Sequence, residues 1–178
     1  MPDCTTVDLP VVTADFCAPD INFGEVDKIY FTNDGSPLTD WADLAEWNTR
    51  LDNADVTADN DKIRSLHVIG DKPRPEKSVV EFSQGRKAYP DPDHTINIRV
   101  DETGADNYGL LLFLEANAGS QLRVWYQAGK YLYGGNTGIL ANLNMDDVIP
   151  ESDAELNTFV GEVTWEGPHP TRIANPMA

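Results

Sequence analysis

The side chains in this chain best suited to hold a metal or attack a substrate are three histidines, His67, His94 and His169, and two cysteines, Cys4 and Cys17. Their spacing matches no structural zinc pattern, and no function is assigned to the cysteines. Asp55, Asp59 and Asp61 lie in the polar run 53–62 and invite comparison with a calcium loop. That run lacks the central glycine and the closing bidentate glutamate that such a loop uses, so it reads as a solvated connection. Asp91, Asp93 and His94 are also ligand types, yet Pro90 and Pro92 already explain a turn there. Gly134-Gly135-Asn136-Thr137-Gly138 is glycine-rich, but no lysine follows to reach a phosphate, and a turn is the better reading. There is no G-x-S-x-G elbow and no H-E-x-x-H pair. Two carboxylates at a set separation would suffice for glycoside hydrolysis, but sequence alone does not locate such a pair. The expectation is a protein without catalytic residues, metal or cofactor.

The elements that would carry these residues are mostly strands. The chain of 178 residues suits one domain with a real core, and its 40% hydrophobic content supports folding. Thirty acidic against 13 basic side chains give a formal charge of −17, which disfavours groove binding of nucleic acid. No apolar run approaches the ~20 residues of a membrane span. The N-terminus has neither the positive region nor the apolar core of a signal peptide, so no secretory route and no membrane partner are expected. Free thiols at Cys4 and Cys17 suit a chain made in the cytosol, although a disulfide between them stays open.

Residues 1–24 have no sustained period and read as an irregular N-terminal arm; residues 25–178 read as a single β-sandwich domain. Strands are expected at 26–32, 63–69, 78–84, 95–100, 138–144 and 155–165, from alternation of apolar and polar residues. The connection 70–75, Gly-Asp-Lys-Pro-Arg-Pro, is stiff. A hairpin is expected over Leu122–Tyr133, with Gln127-Ala128-Gly129 as its loop and Gly129 in the left-handed position. Trp41, Leu44, Trp47 and Leu51 fall on one stripe of a helix over 39–52, capped by Thr39 or Asp40, and a second helix is expected over 106–117. The apolar run Leu110–Leu114 leaves some helix/strand ambiguity, and Gly109 costs that helix about 1 kcal/mol relative to alanine. The residues after 165 read as an irregular tail. Trp41, Leu44, Trp47, Trp125 and Trp165 are assigned to the core. The fold class is mainly β (α+β): an antiparallel β-sandwich or partly closed barrel with one or two flanking helices.

The runs SQGRKAYPDPDHTINIRVDET, NYGLLLFLEANAG, LRVWYQAGKYLYGGNTGILANLN and SDAELNTFVGEVTWEGPHPTRIANP, in that order, resemble small virion structural proteins of bacteriophages, including the crAss-like group. They are also similar to the tail-tube (major tail) type of subunit. The resemblance implies a non-enzymatic subunit whose partners are copies of itself, in rings of six stacked into a tube, together with other virion proteins. DNA would pass through an acidic lumen without sticking. The protein would be located in the virion after assembly in the host cytoplasm. Within that resemblance the loop 85–94 is the expected inter-subunit arm, through Arg86, Lys87, Tyr89, Asp91 and His94. A capsid decoration protein, a head-to-tail joining protein, or a carbohydrate-binding β-sandwich module with Trp125, Tyr126, Tyr131 or Tyr133 as stacking platform are the alternatives.

Overall fold

A computed structural model describes residues 24–33, 37–52, 62–75, 79–88, 90–152 and 154–177. The expected arm before residue 24, Cys4, Cys17, the aspartates 55, 59 and 61, and Tyr89 lie outside the described residues.

Among the described residues, ten strands and two α-helices follow one another as β1 (Val26–Thr32), α1 (Leu44–Arg50), β2 (Arg64–Asp71), β3 (Val80–Glu81), β4 (Lys87–Ala88), β5 (Asp93–Val100), α2 (Ala105–Ala116), β6 (Gln121–Ala128), β7 (Tyr131–Tyr133), β8 (Ile139–Val148), β9 (Thr158–Glu166) and β10 (Arg172–Ala174). Six strands form a closed antiparallel barrel in the order β1-β2-β5-β9-β8-β6, with β6 pairing back onto β1. Closure removes the sheet edges that an open sandwich would expose.

The alternation in each strand supplies the barrel interior. Ile96, Ile98 and Val100 of β5 face inward beside Phe159, Val163 and Trp165 of β9, and Leu143 and Met145 of β8 continue the same layer. Gly161 stands opposite both Ile98 and Met145, and a Cβ there would run into the Asn144 carbonyl. Glycine is therefore required by close approach of two backbones. Leu111 and Leu114 of α2 join this interior cluster, so the helix closes the barrel end at which β5 stops and β6 starts.

Strand β6 is buried on both faces. Leu122, Val124 and Tyr126 point into the barrel, whereas Trp125 points outward into a second cluster with Tyr30, Leu38, Trp47, Ile63 and Leu132. Tyr30 is the register partner of Trp125 across the β1–β6 ladder, and the Trp47 ring lies 5.4 Å from Tyr30 and 5.6 Å from Trp125. The indole donors are satisfied: Trp47 Nε1 donates to the Trp41 carbonyl at 2.8 Å, and Trp125 Nε1 to that of Gly135 at 2.7 Å.

Several expectations shift. The first helix is shorter than 39–52, because Asp43, not Thr39 or Asp40, caps it through the Ala45 amide. The Glu46 carboxylate instead binds back to the amides of Thr39 and Asp40. Trp47 is the buried anchor of the helix and Trp41 is half-buried, but Leu44 is 44% exposed, which corrects its assignment to the core. The strand expected over 78–84 shrinks to the two residues of β3 and a 3-10 turn at Ser83–Gly85. In the hairpin, Ala128 pairs with Tyr131, so the loop is Gly129-Lys130; Gly129 does take the left-handed conformation, at φ 57°. The tail is not wholly irregular: β10 pairs with β7 and brings Ile173 onto the second cluster.

Candidate functional site

The barrel end opposite α2 opens into a cleft of about 540 Å³. Its walls come from the connection after β2 (Lys72, Pro73, Arg74 and Pro75), the β6–β7 hairpin (Tyr126 and Tyr133) and His169. Tyr126 and Tyr133 stack with ring centres 4.6 Å apart and planes 5° from parallel, and His169 meets the Tyr133 ring edge-on at 6.4 Å. Glu25 and Asp71 also reach this rim. The Asp71 carboxylate is engaged by the Asn97 side-chain amide at 3.3 Å.

Beneath the cleft lies His94, 1% exposed and stacked on Trp165 at 4.8 Å. Lys72 Nζ sits 3.2 Å from His94 Nδ1, and Nε2 lies 3.1 Å from the Gly167 carbonyl. An ammonium can only donate and a carbonyl can only accept, so His94 is the neutral tautomer with its proton on Nε2. Its pKa is lowered accordingly: burial is the main cause, followed by the charge of Lys72, against the opposing bond to Gly167. Burial also lowers Lys72. Among the described residues neither Lys72 nor Arg74 has a carboxylate partner in an ion pair. Burial pushes the Tyr126 hydroxyl up, so it stays protonated and uncharged.

His94 thus leaves the expected contact loop, since its side chain belongs to the barrel interior. Arg86, Lys87 and Asp91 are exposed, with Lys87 paired to Glu81 at 3.1 Å across the small β3–β4 hairpin. That hairpin also displays Val79, Val80 and Phe82, at 47%, 45% and 56% exposure. At the other end of the barrel, Ile149 and Leu156 in the β8–β9 turn are 71% and 76% exposed. They stand among Glu151 and Glu155, which are exposed as well. A larger cleft of about 740 Å³ runs between α2 and the β1–β2 edge, lined by Asp52, Glu102 and Asp106; its Arg64 pairs with Asp52 at 3.9 Å.

The glycine-rich segment 134–138 wraps the Trp125 indole. A Cβ on Gly134 would lie 2.5 Å from Trp125 Cδ1, and one on Gly138 would lie 2.9 Å from Cζ2. Asn136 then ties this loop to the segment before α1, accepting from the Trp41 amide at 3.1 Å and donating to the Thr39 carbonyl at 3.2 Å. The loop is spent on packing. Trp125 and Tyr126 are buried and offer no exposed stacking platform, while the Arg172 guanidinium lies 4.3 Å over the Tyr131 ring. Among the described residues no three His, Cys, Asp or Glu side chains converge to hold a metal.

The cleft walls Lys72, Pro73, Arg74 and Pro75 read in sequence only as a stiff connection. A usable signal was there: two cations alternating with two prolines, in a chain where acids outnumber bases 30 to 13. No family model, curated protein or solved structure matches this chain.

Proposed function

We propose that this chain is a non-enzymatic virion structural subunit of a bacteriophage, a tail-tube type protein that assembles head to tail with copies of itself. The observation that carries the reading is the display of large apolar side chains at both ends of a barrel whose interior is filled. Phe82, Val79 and Val80 lie in the β2–β5 connection at one end, and Ile149 and Leu156 lie in the β8–β9 turn at the other. Exposed apolar groups that cluster into one patch mark contact surfaces, whereas single ones are ordinary. Two different surfaces at opposite ends support a heterologous contact, which closes into a ring or propagates as a tube.

The charge fits the same reading. With a formal charge of −17, an assembled lumen repels phosphate, so DNA slides without being held. The test is negative-stain microscopy of the purified protein together with its mass in solution. Hollow tubes or stacked rings are expected. A monomer that persists at high concentration would overturn the proposal, and closed single rings that never stack would assign the chain to a joining role instead.

A further inference from the structure

The two barrel ends differ in chemistry as well as position, and the difference is complementary. One carries the cleft, whose rim holds Glu25 and Asp71 as well as two cations: Asp71 is engaged by Asn97 and Lys72 by His94, while Arg74 is exposed and has no carboxylate partner among the described residues, beside a floor of Pro73, Pro75 and Tyr133. The other carries the β8–β9 turn, where Glu151 and Glu155 lie between Ile149 and Leu156 in the chain, all four exposed. We propose that this turn of one copy seats in the mouth cleft of the next, its carboxylates against Arg74 and Leu156 against the proline–tyrosine floor. The inference rests on the head-to-tail reading above and names the contact that would make it.

A copy cannot fill its own cleft in this way. Strand β9 runs from Thr158, paired to Val148 beside the turn, to Glu166, paired to Asp93 beside the mouth. Its nine residues separate the two sites by on the order of 26 Å along the strand. The contact is therefore between copies. It joins unlike surfaces, so every copy that binds below still offers a free site above. In a chain where acids are in such excess, an exposed arginine without a carboxylate partner among the described residues, beside an apolar floor, forms a local match for an acidic, apolar turn, and like-charged surfaces elsewhere reject other orientations.

Sedimentation velocity on the full chain tests the contact. Wild type is compared with Arg74→Glu, with the Glu151→Lys/Glu155→Lys pair, and with the three changes combined. All three positions are exposed, and circular dichroism checks that each variant keeps its fold. The expected result is association at least tenfold weaker in each separate variant, with recovery when the reversed charges are combined. Unchanged association in the separate variants overturns this contact while leaving self-assembly standing; a monomeric wild type overturns both.

Oxidation of a chain carrying Pro75→Cys and Leu156→Cys supplies a second readout that does not depend on charge. A ladder of species, each linked between the two introduced thiols, supports the contact. If peptide mapping instead finds the thiol at position 75 joined to Cys4 or Cys17, the chain's N-terminal segment occupies the cleft and the proposal falls.

Discussion

His94 shows how one residue can be a ligand type and yet be spent on the fold. Its folded pKa lies below the ordinary histidine value of ~6.5, because burial and Lys72 oppose the charged form; His169 adds to this, and Asp93 and the Gly167 carbonyl act the other way. Below pH ~6.5 the unfolded chain takes up the proton before the folded one does. Stability from this site is therefore complete above that pH and declines as pH falls toward the folded pKa, by at most ~1.4 kcal/mol per pH unit for one proton. Urea melts at pH 7.5, 6.5 and 5.5 should show His94→Gln with a shallower acid decline than wild type. Gly134 gives a second residue-scale expectation. Its φ of 140° and the 2.5 Å approach of a Cβ to Trp125 make Gly134→Ala strained and crowded at once. A loss of about 2 kcal/mol or more is expected in denaturant unfolding, with altered tryptophan fluorescence. The sequence showed the glycines as a turn but not their reason, since the indole they embrace is nine residues upstream at the nearest.

At the scale of elements, alternation carried most of the fold into view, because a strand half-buried in a barrel writes its two faces as a period of two. Strands β1, β2, β5, β8 and β9 overlap the segments expected as strands, and α2 lies within a residue of its expected bounds. The failures share a cause. Helix α1 has only seven residues, too few to hold by propensity, so where it starts depends on Asp43 and on Glu46 reaching back, not on the long apolar stripe. Trp47 holds it against Tyr30 and Trp125, while Leu44 faces out. Trp47→Ala should then cost about 3–5 kcal/mol and Leu44→Ala within about 0.5 kcal/mol, measured by chemical denaturation. Helix α2 allows a change in the other direction. Gly109 is exposed, and a Cβ there meets nothing within 4 Å. Gly109→Ala should raise stability by about 0.5–1 kcal/mol, read as a higher midpoint at unchanged denaturant slope. The cleft was not legible at this scale because its walls come from three separated connections, and only closure of β6 onto β1 brings them together.

For the whole molecule, charge and apolar display pull assembly in opposite directions, and salt decides between them. Two copies each at −17 repel over the Debye length, roughly 30 Å at 0.01 M salt but about 8 Å at 0.15 M. Apolar contact through residues such as Phe82, Ile149 and Leu156 does not weaken with screening, and sulfate strengthens it. Opposite charges in direct contact lose less than distant like charges when salt is added, because the distant pairs lie beyond the shortened Debye length. Raising sodium chloride from 0.01 to 0.15 M should therefore lower the concentration at which the protein self-associates, and equimolar sulfate should lower it further. Light scattering over a dilution series at each salt measures both effects. Association that weakens steadily across the same range would mean that contact pairs such as Arg74 with Glu155, and not the apolar ends, dominate the interface.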